Sequence, residues 1–262
     1  MKKNIYSNGK KSHKRCWIVL SIIGILILCG INVAIAYVND YYKANSAAQT
    51  AMLQEADDGV TVICGLFDNE KALVFEPETV KAGLIFYPGG KVEYVAYAPL
   101  MRELAQNGIL CIVPHMPGNL AVFDMYAGEE LMQSYPNVEH WYIGGHSLGG
   151  SMAAECAYKY SDSFEGLILC AAYSTKDLST TDLKVLSIYG SEDKVLSMEK
   201  YQSNRSNLPE DVIEKVIDGG CHAYFGSYGA QDGDGTPTIS NAEQIQTTVD
   251  YVKLLMGIYI EE

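Results

Sequence analysis

The chain has 262 residues, of which 48% are hydrophobic and 19% are charged, and its formal net charge is −13 at pH 7. This composition excludes a largely disordered chain, because it offers enough apolar surface for one domain with a sizeable core. The acidic balance argues against a nucleic-acid-binding surface, so no nucleic-acid partner is expected.

The N-terminal segment differs in character from the rest of the chain. Six basic residues lie within residues 1–15, and residues 16–38 contain no charged side chain. About 20 apolar residues cross a bilayer core, so residues 16–38 are predicted to be a transmembrane anchor in the lipid bilayer. The basic tail is expected to stay in the cytoplasm, which places the remaining chain outside the cell. A cleaved signal peptide is the alternative, because Ala34-Ile35-Ala36 has the small-x-small form of a cleavage site.

The acidic residues are concentrated beyond the anchor. Residues 1–40 hold six basic groups and one acidic group, which leaves 13 basic and 31 acidic groups for the rest of the chain. Residues 39–57 contain good helix formers without Gly or Pro and are predicted to be a helical stalk. Residues 58–262 are predicted to form a single domain.

Segments typical of strands and helices alternate from residue 59 onward. The predicted strands are 60–65, 72–77, 83–90, 109–114, 141–145, 165–173, 182–190 and 211–218, the first two as an antiparallel pair. The predicted helices are 94–108, 120–133, 148–161, 198–205 and 240–260. Apolar strands without alternation indicate helices on both faces, so the predicted fold class is α/β, a doubly wound, mostly parallel sheet. Only eight residues, 174–181, separate the sixth and seventh strands, which leaves no room for a cap domain.

The stretch GGHSLGG, residues 144–150, lies where a predicted strand ends and a predicted helix begins. It contains G-x-S-x-G, the pattern of a nucleophile elbow, in which a serine sits on a sharp, strained turn. Glycines on either side allow the strand and the helix to approach each other closely. A serine at such a position becomes a nucleophile when a base removes its proton, so Ser147 is the predicted catalytic nucleophile.

A base and an acid follow Ser147 in the order that this geometry requires. Asp193 comes directly after the strand 182–190 and is the predicted acid, with the adjacent Glu192 as the alternative. His222 follows the last strand and is the predicted base. A histidine titrates near neutrality and can move a proton, and a buried carboxylate fixes its tautomer.

Backbone amides are expected to stabilise the oxyanion of the intermediate. The N–H of Leu148, the residue after the nucleophile, is one predicted donor. The second is expected from the loop after the third strand, from Gly90 or alternatively from Gly89.

Other residues near these loops receive weaker predictions. His115 is expected to line the pocket, whereas His146 is expected to point away from the site. Asp232-Gly233-Asp234-Gly235 is predicted to be a plain turn, because the full spacing of a calcium loop is absent. No Cys/His spacing indicates a metal site, so no metal or cofactor is predicted. Tyrosines are also candidate lining or packing residues, namely Tyr87, Tyr94, Tyr97, Tyr224 and Tyr228.

The segments GGHSLGG, YGSEDKV and GGCHAYFG together resemble the α/β-hydrolase superfamily over about residues 58–260, and LIFYPGG resembles its oxyanion loop. In detail, YPGG, HMPGNLAVF and HAYFGSYGAQDGDG are similar to a membrane-anchored bacterial branch of dienelactone-hydrolase-like enzymes. The resemblance implies the fold and an acyl-enzyme mechanism. Dienelactone hydrolases use a cysteine nucleophile, so the serine at 147 shifts the expected substrate towards ordinary esters.

The predicted function is therefore a single-pass, extracytoplasmic serine hydrolase that cleaves a carboxylic ester or similar acyl bond of a small molecule. An acyltransferase or peptidase of the cell envelope that uses the same three residues is the alternative. A catalytically silent scaffold that binds a partner through its pocket is the third hypothesis.

Overall fold

The computed structural model describes residues 8–53, 58–65 and 72–258, with side chains from residue 16 onward. The chain divides into two compact units, one ending at Tyr41 and the other beginning at Tyr42. The first unit is helix α1 (Asn8–Asn39). Its segment Cys16–Asn39 is long and apolar enough to cross a membrane, and its apolar side chains are exposed. A helix of this kind fits either a membrane anchor or a signal sequence.

The described part of the second unit is built on one eight-stranded sheet. Its strands are β1 (Val60–Cys64), β2 (Ala72–Pro77), β3 (Ala82–Tyr87), β4 (Ile109–Pro114), β5 (Trp141–His146), β6 (Gly166–Cys170), β7 (Lys184–Gly190) and β8 (Ile213–Ile217). They lie in the order β1-β2-β4-β3-β5-β6-β7-β8. Strand β2 pairs antiparallel with β1 and β4, and every other pairing is parallel. The predicted mostly parallel sheet with an antiparallel opening pair is confirmed.

Helices cover both faces of the sheet. They are α2 (Ser46–Leu53), α3 (Ala98–Gln106), α4 (Ala127–Met132), α5 (Leu148–Lys159), α6 (Met198–Ser203) and α7 (Asn241–Met256). Apolar residues of α3 and α7 pack in one core, and those of α4 and α5 pack in a second core with the alternate side chains of the strands. Every residue of β3, β4 and β5 is buried, which explains why these strands are apolar throughout. The doubly wound architecture is therefore confirmed.

The segment between β6 and β7 bears on the shape of the site. Residues 171–183 are described in full and contain neither a helix nor a strand. As predicted, no cap domain is inserted there. Because β3 and β5 to β8 run parallel, the loops that follow them lie at the same carboxyl edge of the sheet, where ligands bind in such folds.

All five predicted helices are longer than the observed α-helices, including 120–133 and 240–260. Within 120–133 only α4 is α-helical, and Tyr87 Oη holds its start by donating to the Met125 carbonyl (3.0 Å) and accepting from the Gly128 N–H (2.8 Å). Helix α7 ends at Met256 rather than at residue 260, because Gly257 adopts φ 69°, the left-handed conformation of a helix C-cap.

The segment predicted as a stalk, residues 39–57, contacts the domain. The Tyr42 N–H donates to the Lys91 carbonyl (2.7 Å), and the Glu93 N–H donates to the Tyr42 carbonyl (2.9 Å). Helix α2 is held by Arg102, whose Nη1 donates to the Ala51 carbonyl (2.9 Å). The compact unit thus begins before the predicted boundary at residue 58, and residues 54–57 lie outside the described residues.

Candidate active site

Ser147 is the single residue between strand β5 and helix α5. Its backbone adopts φ 54° and ψ −123°, a conformation that favours glycine and costs a serine about 1–3 kcal/mol. The Ser147 N–H donates to the Cys170 carbonyl (2.9 Å), which joins the turn to the end of strand β6. Ser147 is partly exposed, and its side chain makes no capping hydrogen bond to the first turn of α5.

The glycines around Ser147 allow the turn to be this tight. A Cβ atom on Gly145 would lie 2.6 Å from the Gly149 carbonyl carbon. A Cβ atom on Gly149 would overlap the carbonyl oxygens of Tyr87 and Pro88. Only glycine fits at these two positions, since β5, α5 and the end of β3 meet there.

The two acid candidates, Asp193 and Glu192, have different surroundings. Asp193 Oδ1 accepts hydrogen bonds from the N–H groups of Val195 (2.9 Å) and Leu196 (2.8 Å), which fix the carboxylate. Its Oδ2 lies 2.8 Å from His222 Nδ1. Glu192 instead accepts a hydrogen bond from the Ser191 hydroxyl (3.1 Å). The structure thus brings Asp193, and not Glu192, to the histidine.

His222 is held in the tautomer that a general base needs. The Asp193 and His222 side chains are each 1% exposed, so the carboxylate accepts the Nδ1 proton in a buried setting. This leaves His222 Nε2 without a proton in the neutral ring. Nε2 is buried and has no hydrogen-bond partner among the described residues, so it makes no hydrogen bond to Ser147. Catalytic hydrogen bonds are often absent before substrate binds and form in the complex.

The turn at Ser147 contacts the loop of His222 through the side chain of a second histidine, His146. The ring of His146, which directly precedes Ser147, lies 4.6 Å from the ring of His222 between centroids. The prediction that His146 points away from the site is therefore wrong. Its neighbour could not be inferred from sequence, since it depends on how the loop after β8 folds back.

The candidate oxyanion donors lie side by side. A Cβ atom on Gly90 would lie 3.0 Å from Leu148 Cδ2, and both residues are partly exposed. The Gly89 N–H already donates to Tyr97 Oη (2.9 Å), whereas the Gly90 N–H has no partner among the described residues. The Leu148 N–H is at the first position of α5, where the helix itself offers no acceptor. The geometry therefore favours Leu148 with Gly90 over Leu148 with Gly89.

Asp234 connects the loops of Asp193 and His222. Its Oδ1 accepts hydrogen bonds from the N–H groups of His222 (3.2 Å) and Lys194 (3.4 Å), and its Oδ2 accepts from the Ala223 N–H (2.9 Å). Burial raises the pKa of Asp234, but the hydrogen bonds from Ala223 and its neighbours outweigh burial and lower it overall. The segment predicted as a plain turn thus includes a residue that holds the site together.

The remaining residues that were predicted to line the pocket or to pack near it have different surroundings. His115 is exposed and stacks on Tyr94 with a centroid distance of 4.7 Å. Tyr87 Oη donates to the Met125 carbonyl near the start of α4, and Tyr228 Oη donates to Gln231 Oε1 (2.9 Å). Both tyrosines therefore act in packing. Tyr224 is partly exposed. In the described part of the chain, no group of three or more His, Cys, Asp or Glu side chains is arranged to hold a metal ion.

The chain matches a protein-family model. A model described as the alpha/beta hydrolase family matches residues 83–246, which is more than half of the chain. The matched range contains the β5–α5 turn and the loops of Asp193 and His222. A search of curated proteins gives no significant match.

Solved structures of similar fold include a predicted CIB-like hydrolase from Thermoplasma acidophilum and esterase 2 from Thermogutta terrifontis. The first is 17% identical, with a TM-score of 0.56, and the match covers 75% of this chain and 100% of that chain. The second is 13% identical, with a TM-score of 0.54, and the match covers 80% of this chain and 99% of that chain. At these identities the likeness establishes a shared fold.

Proposed function

Because the chain belongs to the alpha/beta hydrolase family, we propose that it is a serine hydrolase that cleaves a carboxylic ester through Ser147, Asp193 and His222. One observation carries the proposal. The Asp193 carboxylate holds the Nδ1 side of a buried histidine, whose unprotonated Nε2 lies in a ring packed against the residue before Ser147.

The proposed reaction follows from these positions. As Ser147 Oγ bonds to the acyl carbon, its proton passes to His222 Nε2, and the Asp193 carboxylate stabilises the resulting imidazolium. The N–H groups of Leu148 and Gly90 stabilise the oxyanion. When the bond to the leaving alcohol breaks, His222 returns the proton to that alcohol, which leaves an acyl-enzyme. Water then attacks the acyl group, its proton passes through His222 to Ser147 Oγ, and the carboxylic acid departs.

An ester substrate is the reaction class that we favour. One of the similar structures is an esterase, and a serine in place of the cysteine of dienelactone hydrolases favours ordinary esters. We also propose that the chain belongs to the dienelactone-hydrolase-like, membrane-anchored bacterial branch of the family. The uncapped segment 171–183 is consistent with an open site.

We further propose that α1 is retained as an anchor, with the catalytic unit outside the cytoplasm. The 24-residue apolar segment Cys16–Asn39 and the basic residues that precede it support this topology. Cleavage after Ala36 is the alternative outcome. Mass spectrometry of the protein recovered from membranes and from the culture medium distinguishes the two, because cleavage removes residues 1–36.

The function is tested by labelling the full-length protein in detergent with a fluorophosphonate probe and by measuring hydrolysis of chromogenic esters of increasing chain length. Ser147→Ala is expected to abolish both labelling and turnover. Ser151→Ala is the matched control, since Ser151 is on the same helix and its hydroxyl donates to the Tyr173 carbonyl (2.9 Å). Labelling that persists in Ser147→Ala, or its absence from the folded parent, would overturn the proposal. Turnover that rises with added alcohol or amine acceptors would favour the transferase.

A further inference from the structure

A buried chain of contacts runs from the candidate oxyanion loop to the candidate base. Tyr97 Oη accepts a hydrogen bond from the Gly89 N–H (2.9 Å) and lies 2.8 Å from His146 Nδ1. The His146 ring lies 4.6 Å from that of His222 and 5.6 Å from that of Phe225. Tyr97 and His146 are both 0% exposed, so water does not compete for these contacts.

Counting protons fixes the direction of these hydrogen bonds. Tyr97 Oη has a single proton, and the bond from Gly89 uses its oxygen as an acceptor. His146 Nε2 is buried without a hydrogen-bond partner among the described residues. If His146 Nδ1 carried the proton, both the Tyr97 hydroxyl proton and the Nε2 lone pair would be unpaired, whereas a proton on Nε2 leaves only that N–H unpaired. The second arrangement leaves fewer buried polar groups unpaired, each of which costs about 1–3 kcal/mol. Tyr97 therefore donates to an unprotonated Nδ1, and neutral His146 carries its proton on Nε2.

The surroundings keep both groups uncharged. Burial raises the pKa of Tyr97 far above its usual range, so the hydroxyl stays protonated. Burial also lowers the pKa of His146 well below its usual value, and a positive charge on His222 lowers it further. His146 is thus neutral even when His222 holds the proton taken from the nucleophile.

We propose that Tyr97 and His146 are positioning residues, which hold the His222 ring from behind and hold the Gly89 amide so that the Gly90 amide remains free for the oxyanion. This inference rests on the proposed function, because it assigns His222 as the base. A single hydroxyl, that of Tyr97, thus helps to position both the base, through the His146 ring, and the oxyanion loop, through the Gly89 amide. Tyr97 is therefore expected to affect the chemical step and to leave substrate binding unchanged.

The first test reads the tautomers directly, without any activity. In full-length protein labelled with ¹⁵N-histidine and held in detergent micelles, the five histidines give five pairs of ring-nitrogen signals, one each for Nδ1 and Nε2. At neutral pH, His146 is expected to be protonated at Nε2 and His222 at Nδ1, so the two buried rings have opposite tautomers. His146→Asn assigns its pair of signals by loss. A proton on His146 Nδ1 would overturn the inference, whatever the enzyme does.

The second test removes the hydroxyl in Tyr97→Phe. We expect kcat to fall roughly tenfold to a hundredfold with KM within about twofold, since a displaced catalytic group affects the reacting geometry rather than binding. Tyr142→Phe is the matched control. Tyr142 is also buried, but its Oη donates to Glu165 (3.1 Å) from the opposite end of the sheet, so activity should be unchanged.

A double variant tests whether the two residues act together. In His146→Asn, the amide oxygen can still accept from Tyr97, so its loss of kcat should be smaller than that of Tyr97→Phe. The double variant should lose no more than the larger single loss, because coupled residues are not additive. Additive losses, or wild-type kcat in Tyr97→Phe, would overturn the inference. If Ser147→Ala retained turnover, the proposed function itself would fail, and the tautomer result would still stand.

Discussion

Replacing Asp193 by Asn tests the assignment of the acid with the least disturbance of the loop. The Asn oxygen can still accept from the N–H groups of Val195 and Leu196, as Asp193 Oδ1 does at 2.9 and 2.8 Å. The amide NH₂ then faces His222 Nδ1 in place of the Oδ2 atom at 2.8 Å. Because two donors cannot share a hydrogen bond, the ring is forced to carry its proton on Nε2.

The expected loss follows from this change of tautomer. A histidine protonated at Nε2 cannot take the proton of Ser147, and the loss of the correct tautomer in a serine triad lowers kcat by about 10⁴-fold. This corresponds to about 5 kcal/mol of transition-state stabilisation. Folding should be affected much less, since the variant keeps the hydrogen bonds of the loop.

The assay compares kcat for a short-chain chromogenic ester in the full-length protein, Asp193→Asn and Glu192→Gln. Glu192→Gln is the matched control, because it also removes one negative charge from the same loop while its side chain contacts Ser191 rather than His222. It should retain turnover within about twofold, as expected for a partly exposed side chain outside the triad. If Glu192→Gln lost activity and Asp193→Asn retained more than a tenth of it, Glu192 would be the acid and the reasoning would be refuted.

Four further outcomes are expected. Ser147→Gly should unfold in urea with a free energy about 1–2 kcal/mol higher than Ser147→Ala, since glycine relieves the strain at φ 54°; equal stabilities would show that the turn is unstrained. Gly149→Ala should destabilise the domain by about 1–3 kcal/mol in the same assay, because its methyl group would overlap two carbonyl oxygens, and an unchanged free energy would contradict the close approach. The pKa of Asp234 is lowered from 3.8, so the stabilising effect of its carboxylate is present above that value and is lost as the pH falls through the lowered pKa. The difference in unfolding free energy between the parent and Asp234→Asn should therefore shrink below pH 3.8. A constant difference would show that the Asp234 carboxylate does not stabilise these loops. A protein beginning at residue 40 should remain folded and active. One beginning at residue 58 should have a lower melting temperature, because it lacks Tyr42 and α2. Equal melting temperatures would show that residues 40–57 do not stabilise the domain.

Much of the fold follows from local sequence patterns. Strands such as β4, with six buried apolar residues in a row, have no polar face to present to water, so their place inside the sheet is determined locally. The turn at Ser147 is equally local, because glycine spacing alone signals the close contact of strand and helix. The spacing of Asp193 and His222 after two neighbouring parallel strands also predicted that these loops meet, and their side chains lie 2.8 Å apart.

The supporting residues depend on contacts between distant segments and were not predictable in this way. Asp234 belongs to a turn whose sequence gives no sign of which backbone amides will face its carboxylate. His146 was misassigned because its neighbour is set by a loop more than seventy residues later in the chain. Tyr97 was one of several candidate tyrosines, and its contacts with the Gly89 amide and the His146 ring distinguish it from the others.

The way in which Tyr42 joins the domain has a consequence for the proposed membrane-anchored hydrolase. Its main-chain bonds to Lys91 and Glu93, and the bond from the Asp232 amide to its hydroxyl (3.2 Å), all lie on the C-terminal side of the peptide bond that precedes it. A protease that cuts just before Tyr42 would sever none of them. If helix α1 is retained as the proposed anchor, such a cut would release the second compact unit with these contacts intact, and the proposed hydrolase could then act on esters away from the membrane.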